Sequence, residues 1–225
     1  MTFVLIPGAG GNAWFWSRLE PELRRRGHDV VAVDLPSDDE SVDISGYTDV
    51  AVKAIGDRTD LVVVAHSLAG FTGPLVCDRR PARMLVLLNA MIPISGETAG
   101  HWWSNTGQPQ ARAESDRAAG RDPDAEFDFM TYFFHDATQD VIDEMDAHAR
   151  PQSNGPFAEP WPLSAWPDVP TRVLVGRDDR FFPATFQRRV AEDRLGITPD
   201  ETPGGHLPSL SYPSELADRL EGYLT

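Results

Sequence analysis

The chemistry that this sequence could perform is concentrated in one serine, one histidine and a pair of aspartates. Ser67 lies between small residues after an apolar run, and His206 follows two glycines near the end of the chain. Asp178 and Asp179 follow a later apolar run. A serine hydroxyl becomes a nucleophile when an imidazole takes its proton and a carboxylate orients that imidazole. These residues are therefore candidates for covalent acyl-transfer chemistry.

Each candidate also has a purely structural interpretation. A serine after a buried strand can cap the following helix, an acidic pair is common in a turn, and a loop histidine is often solvated. His66 is adjacent to Ser67 and cannot easily reach its hydroxyl, so we expect it to be a spacer packed under the turn. The positions of these residues relative to the strands must decide between the two interpretations.

A glycine-rich turn, Gly8–Gly11, follows the first apolar run. Such a turn between a strand and a helix can cradle the pyrophosphate of a dinucleotide, and Asp34 at the end of the next strand could then bind a ribose. The spacing disfavours this ligand, because Ala13 is followed by bulky Trp14 and Phe15 where a third small residue is needed.

Short apolar runs alternate with helical patterns in the first 90 residues and in the last 55. Runs that are apolar throughout indicate strands buried on both faces of a parallel sheet, and alternation with helices indicates right-handed βαβ units. We therefore expect an α/β fold, a three-layer α/β/α sandwich with a mostly parallel sheet of about six strands. The predicted strands are Thr2–Ile6, Asp29–Val33, Leu61–Ala65, Arg83–Asn89, Thr171–Gly176 and Thr198–Thr202.

The elements between these strands position the candidate residues. Ligand sites of parallel sheets lie at the carboxyl ends of the strands, so the turns after Ile6, Ala65 and Gly176 should meet at one edge. The predicted helices of this part are Trp14–Arg26, Gly46–Gly56, Leu68–Arg80, Ala184–Leu195 and Ser214–Leu224.

The stretch 91–167 has no convincing strand and is rich in aromatic residues, Pro, Gly and Gln. Because it is too long for a loop in a compact domain, we expect a helical cap inserted into a core of residues 1–90 and 168–225. Helical patterns within it cover Asp124–His135 and Thr138–Arg150.

Composition excludes several classes of partner. Lys and Arg total 20 and Asp and Glu total 35, so the formal net charge is −15. Such a surface repels nucleic acids and anionic membranes, and we expect neither as a partner. Cys77 is the only cysteine, which excludes an intrachain disulfide, and Phe3–Ile6 is too short for a secretion signal. We expect a cytoplasmic protein, either a monomer or a homodimer.

The whole chain resembles the α/β-hydrolase superfamily, in the compact branch that holds plant esterases and hydroxynitrile lyases. Its segment from Val63 to Gly70 resembles the family's nucleophile elbow, with Ala65 and Ala69 replacing two glycines. The resemblance implies that Ser67 is the nucleophile, His206 the general base, and Asp179, rather than the aspartate before it, the orienting acid.

The same resemblance implies an oxyanion hole made by the amides of Ala9 and Leu68, although Pro7 stands where the family commonly has a histidine. Lyases of the branch carry Lys after the catalytic histidine and Thr in the oxyanion loop. Here these places hold Leu207 and Gly8. We therefore expect hydrolysis of a small-molecule ester or related acyl compound through an acyl-enzyme, with no cofactor and no metal.

Two other functions stay open at this point: a non-hydrolytic enzyme of the same fold, such as a lyase or a cofactor-free peroxidase, and a non-catalytic binding protein. Aromatic and sulfur side chains of the cap could line an apolar pocket or simply form the core of the cap. The predicted substrate-binding residues are Met91, Trp102, Trp103 and Phe133, with Phe129, Phe157 and Trp161 as further candidates.

Overall fold

The computed structural model describes residues 1–224, which contain a six-stranded sheet with parallel neighbours throughout. The strand order is β2-β1-β3-β4-β5-β6, so after β3 the chain adds strands in one direction. This confirms the expected α/β fold with a parallel sheet. The strands are β1 (Thr2–Ile6), β2 (Asp29–Ala32), β3 (Leu61–His66), β4 (Ala82–Leu88), β5 (Thr171–Gly176) and β6 (Asp200–Thr202).

Helices follow the strands along the chain, as the βαβ pattern predicts. The helices are α1 (Leu19–Arg25), α2 (Ile44–Ile55), α3 (Gly73–Arg79), α4 (Ala99–Thr106), α5 (Gln108–Ala118), α6 (Phe129–Phe133), α7 (Gln139–His148), α8 (Gly155–Ala158), α9 (Ala184–Leu195), α10 (Pro208–Ser211) and α11 (Pro213–Gly222). Short 3₁₀ turns cover Ala13–Trp16 and Ser67–Gly70.

Helices cover both faces of the sheet, because successive side chains of each strand point to opposite sides. In β1, Val4 and Ile6 belong to one buried cluster, whereas Phe3 and Leu5 belong to another. Buried residues of α2, α3 and α9 complete the first cluster, and those of α1 and α11 complete the second. The result is the three-layer arrangement expected from the sequence.

Two predicted helices are broken in the structure. The helix expected over 14–26 is a 3₁₀ turn followed by α1, because the Asn12 side chain accepts a hydrogen bond from the Trp14 amide at 2.9 Å and starts a separate short turn. The helix expected over 68–80 is a 3₁₀ turn followed by α3. Pro74 has no amide hydrogen to donate to residue 70, so an α-helix cannot run through this point.

The segment of residues 91–167, called the inserted segment below, carries α4 to α8 between β4 and β5. The helix expected over 124–135 is reduced to α6, because the Asp128 carboxylate accepts the amides of Met130 and Thr131 and fixes the start of the helix there. Helices α4, α5 and α8 were not predicted. Within residues 1–224, no helix is both long enough and apolar enough to cross a membrane.

Candidate active site

Ser67 lies in a sharp turn directly after β3. Its φ is 53°, in the left-handed region that non-glycine residues seldom adopt, and its side chain is buried at the start of a 3₁₀ turn. The surrounding backbone leaves very little space: a Cβ on Gly8 would lie 2.7 Å from Ser67 Cβ, and one on Gly70 would lie 1.8 Å from the Met91 carbonyl oxygen. Such strain at a buried serine is typical of a functional site.

The side chain of His206 connects Ser67 to Asp179. Its Nε2 lies 3.1 Å from Ser67 Oγ, and its Nδ1 lies 2.8 Å from Asp179 Oδ2. Because an ionised carboxylate can only accept a hydrogen bond, Nδ1 carries the proton and Nε2 is free to accept the serine hydroxyl hydrogen. The structure thus brings the serine, the histidine and the second aspartate of the predicted set together.

Asp179 is fixed by hydrogen bonds at both carboxylate oxygens. Oδ1 accepts the amides of Phe181 and Phe182 at 2.9 and 2.8 Å, and Oδ2 also accepts from Gln187 Nε2 at 3.2 Å. The competing residue, Asp178, is exposed and accepts the Gly204 amide instead. The structure therefore places Asp179, not Asp178, against His206.

The backbone of His206 is held by two further side chains. Its carbonyl oxygen accepts from His66 Nε2 at 2.8 Å and from Asn89 Nδ2 at 3.1 Å, while Asn89 Oδ1 accepts the Gly176 amide at 2.6 Å. Asn89 therefore joins the loop after β5 to the loop of His206. Sequence reasoning missed Asn89, although its position at the carboxyl end of β4 was a signal for a site residue.

His66 is more than the spacer that we expected. Burial, and to a lesser extent the neighbouring His206, lower the pKa of His66 from 6.5 to about 3. The ring is therefore neutral at physiological pH, and its Nε2 must carry the hydrogen that it donates to the His206 carbonyl. This role positions His206 without exchanging protons with it.

The two residues predicted to supply the oxyanion donors lie beside the same space. Ala9 and Leu68 both line the cavity beside Ser67. Among the contacts of residues 1–224, the amides of Ala9 and Leu68 donate no hydrogen bond to another protein group. The turn that holds Ala9 is tight, since the Gly11 amide donates to the Gly8 carbonyl at 3.1 Å. Free amides next to a nucleophile are suited to a developing oxyanion.

A cavity of about 620 Å³ opens on Ser67. Its walls are mostly aromatic and aliphatic side chains. The ring centroids of Phe133, Phe181 and Phe182 lie 5.0–5.2 Å from that of His206, with the planes nearly perpendicular, and the first two of these rings line the cavity. A pocket of this size and character accommodates a small organic molecule.

Comparison with known proteins identifies the family of this chain. A model of the alpha/beta hydrolase family matches residues 3–219. The chain belongs to the alpha/beta hydrolase family. It is 25% identical to a probable esterase of Oryza sativa subsp. japonica over 97% of this chain and 94% of that protein. It is 31% identical to an alpha-hydroxynitrile lyase of Arabidopsis thaliana, over 44% of this chain and 43% of that protein.

The fold of this hydrolase is also that of solved relatives. The crystal structure of polyneuridine aldehyde esterase superposes with a TM-score of 0.80 at 19% identity, covering all of this chain and 99% of the other. At this level of identity the superposition supports the fold alone. The resemblance to the esterase and hydroxynitrile lyase branch is confirmed by the names of these relatives.

The departure of this hydrolase from the usual elbow has a simple packing reason. A Cβ on Gly73 would lie 2.6 Å from Ala65 Cβ and 3.1 Å from Leu85 Cδ1. The methyl group of Ala65 therefore occupies space that Gly73, on the following helix, leaves open. The side chains at positions 65 and 73 must therefore be small together. Alanine is tolerated at position 65 because position 73 is glycine.

One of the four predicted substrate-binding residues is wrongly placed by the sequence interpretation. Met91, Trp103 and Phe133 line the cavity, but Trp102 does not. Trp102 is fully buried in the core, where it packs against Phe182 and donates its indole hydrogen to the Ile92 carbonyl at 3.1 Å. Neighbouring residues of a helix point about 100° apart, so only one of two adjacent tryptophans faces the cavity.

The remaining aromatic candidates also divide. Phe129 and Phe157 line the cavity, whereas Trp161 is buried in the core with its indole donating to the Phe71 carbonyl at 3.1 Å. Lining residues that sequence reasoning missed are Trp14, Phe15, Phe127, Phe134, Met145 and Phe181. Trp14 and Phe15 directly follow the glycine-rich turn, which could have indicated their position.

Other reactive groups do not converge on this site. Burial raises the pKa of the Cys77 thiol to about 12, so it is not a nucleophile at neutral pH. Within residues 1–224, no three side chains of His, Cys, Asp or Glu are grouped so that they could hold a metal ion.

Proposed function

We propose that this protein is a serine hydrolase that cleaves the carboxylic ester of a small, neutral, apolar molecule through an acyl-enzyme on Ser67. The observation that carries the proposal is that hydrogen bonds join Ser67, His206 and Asp179, and that Ser67 and His206 line an apolar cavity. The names of the related esterases support the same chemistry.

The distances support a two-step acyl transfer. His206 Nε2 accepts the hydroxyl proton as Ser67 Oγ attacks the ester carbon, and Asp179 stabilises the imidazolium that forms. The amides of Ala9 and Leu68 receive the oxyanion, each contributing on the order of 3 kcal/mol to lowering the barrier. The departing alcohol takes the proton from Nε2, and a water molecule activated by the same nitrogen then releases the acid.

The cavity walls favour a neutral, apolar substrate. Arg150 lines the cavity and carries a positive charge that could bind an anion. Its guanidinium, however, pairs with the Asp34 carboxylate at 3.0 Å. The His148 ring is stacked on Trp14. Burying a free carboxylate of a substrate between aromatic rings would be costly without a partner.

We also propose that the inserted segment acts as the cap of the site. Most of the aromatic walls come from it, including Trp103, Phe127, Phe133 and Phe157. Residues that exclude water around an acyl-enzyme strengthen every electrostatic interaction within the site. Acyl-chain preference should therefore depend on this segment.

Cyanohydrin cleavage is less well supported, despite the similarity to a hydroxynitrile lyase. The place that holds a lysine in lyases of the branch is occupied by Leu207, which is buried and lines the cavity. A cyanide leaving group would therefore lack a cation beside His206.

The decisive experiment measures hydrolysis of p-nitrophenyl esters of graded acyl length by the wild type and by Ser67→Ala. We expect turnover by the wild type and loss of at least about 10³-fold in Ser67→Ala. Labelling of Ser67 by a fluorophosphonate, followed by mass spectrometry, identifies the nucleophile. Equal turnover by both proteins, or labelling at another residue, would overturn the proposal.

A further inference from the structure

The inserted segment reaches the loop of His206 through one carboxylate. Asp136, three residues after α6, accepts the Gly205 amide at 2.7 Å and the Ser211 hydroxyl at 3.1 Å with the same oxygen, Oδ2. These two donors flank His206 on both sides along the chain. A part of the chain that is inserted between β4 and β5 thus holds a loop that follows β6.

The two glycines before His206 are explained by this contact. A Cβ on Gly205 would lie 2.6 Å from His135 Nε2, and a Cβ on Gly204 would lie 3.2 Å from Asp136 Oδ2 and 2.6 Å from Tyr212. The pair His135–Asp136 therefore packs directly on the backbone of the loop. Gly204 also has a φ of 100°, which other residues adopt only with strain.

Other contacts hold the ring and the carbonyl oxygen of His206. Asp179 fixes its ring, and His66 and Asn89 fix its carbonyl oxygen. On the amino side of His206, the Gly205 carbonyl accepts from Asn89 Nδ2 at 3.1 Å, and the Gly205 amide is held by Asp136. Gly204 is bonded at both its amide and its carbonyl to Asp178, so loss of Asp136 would release the Gly205 amide, which no other group holds among the described residues.

We propose that Asp136 is a positioning residue, which holds the Gly204–Gly205 backbone so that His206 Nε2 stays within hydrogen-bonding distance of Ser67. This inference rests on the proposed function, since it concerns the base of the same reaction. It differs from a role in substrate binding, because the contacts of Asp136 are with the loop and not with the cavity. It therefore predicts a loss of kcat without a matching change in KM.

The experiment compares Asp136→Ala, Asp136→Asn and the control Asp143→Ala. The control removes an exposed carboxylate that, among residues 1–224, is hydrogen-bonded only to Gln139 of its own helix. We expect kcat to fall about 10- to 100-fold in Asp136→Ala with KM within about twofold, as for a misplacement of catalytic groups. Asp136→Asn should recover most of the loss, because its amide oxygen can accept the same two donors. Asp143→Ala should equal the wild type.

A second readout does not use the ester substrate. The rate constant for labelling of Ser67 by a small fluorophosphonate depends on the Ser67–His206 pair and should fall in parallel with kcat. A wild type that is not labelled overturns the proposed function and this inference with it. A labelled wild type and an equally reactive Asp136→Ala overturn the inference alone.

Folding of each variant is checked by its thermal unfolding midpoint, measured by circular dichroism over a range that includes the assay temperature. A kcat loss that only follows the unfolded fraction contradicts positioning. Should Asp136→Ala not fold, Asp136→Glu keeps the charge and displaces the acceptor by one methylene. We then expect a lower labelling rate than in the wild type, and an unchanged rate would overturn the inference.

Discussion

The His66 ring donates from Nε2 to the backbone carbonyl of His206, 2.8 Å away, although the two residues are 140 positions apart in the chain. The residue directly before Ser67 therefore holds the residue that accepts the Ser67 proton. A donor is needed at this point, and the neutral ring meets this need when its hydrogen is on Nε2. Burial lowers its pKa to about 3 and keeps it in this state.

This relationship predicts a pH dependence of stability. The pKa of His66 is lowered from 6.5 to about 3 on folding, so the unfolded chain binds one more proton between these values. Stability that is fully present above pH 6.5 is therefore lost as the pH falls, by about 1.4 kcal/mol per pH unit for one proton. His66→Gln keeps a side-chain donor and cannot titrate, so its stability should fall less steeply in acid.

The measurement is urea unfolding between pH 7 and pH 4, with the slope of the free energy of unfolding against pH as the quantity compared. His101→Gln, which removes an exposed imidazole, is the control for losing a histidine. Parallel slopes in the wild type and His66→Gln would show that His66 does not carry this proton linkage.

The packing of His135 on Gly205 predicts a compensating pair of substitutions. Gly205→Ala places a methyl group 2.6 Å from His135 Nε2 and should cost about 1–3 kcal/mol as overpacking, together with a loss of kcat. His135→Ala removes the ring, whose Nε2 is buried without a hydrogen-bond partner among the described residues. The double variant should therefore be more stable and more active than Gly205→Ala alone.

A double-mutant cycle on the free energy of unfolding and on kcat tests this prediction. The expected coupling between the two positions is favourable and about 1 kcal/mol or more. Strict additivity of the two single effects would mean that the clash between residues 205 and 135 is relieved in another way, for example by movement of the loop.

The sequence was sufficient for the fold and for the positions of Ser67 and Asp179 because these depend on local signals. Apolar runs without alternation specify parallel strands, and β1 and β5 have the predicted bounds for that reason. Helix α4 was missed because it has only eight residues, and α5 because its sequence is largely polar. Their limits are set instead by Thr98, which caps α4, and by left-handed Gly107 between them.

Contacts between distant segments were beyond the reach of sequence reasoning. The approach of Asn89 to the loop of His206 spans more than 110 positions, and that of Asp136 to Gly205 spans 69. Neither pair has a local pattern that would reveal it. The choice between Trp102 and Trp103 likewise depends on the rotation of α4, which places Trp102 against Phe186 and the Ile92 carbonyl.

The two adjacent tryptophans should respond differently to substitution. Trp102→Ala removes a fully buried ring from the core and should lower the free energy of unfolding by about 3–5 kcal/mol. Trp103→Ala removes a half-buried ring from the cavity wall and should cost less stability. It should instead shift the preference among p-nitrophenyl esters towards longer acyl chains, because the cavity becomes larger.

Urea unfolding and the ratio of kcat/KM for hexanoate and acetate esters measure the two effects separately. Each tryptophan serves as the control for the other, since both changes delete the same group from one helix. A change in chain-length preference in Trp102→Ala alone would reverse the assignment of the cavity wall.

The oxyanion loop is held from the inserted segment by Gln152. Its Oε1 accepts the Gly10 amide at 3.0 Å, and its Nε2 donates to the Tyr47 hydroxyl at 3.1 Å. Gly10 follows Ala9, whose amide is the proposed oxyanion donor, and has a φ of 84°. Gln152→Leu keeps the approximate volume but leaves the Gly10 amide without this acceptor, so the turn can rotate.

We expect kcat to fall about tenfold in Gln152→Leu, less than the loss from deleting an oxyanion donor outright. Because the donor acts on the transition state and not on the bound ester, KM should change little. Gln110→Leu, which alters an exposed glutamine of α5, is the matched control. Unchanged kcat in Gln152→Leu would show that the turn keeps Ala9 in place without help from the inserted segment, since its own Gly11–Gly8 hydrogen bond would then be sufficient.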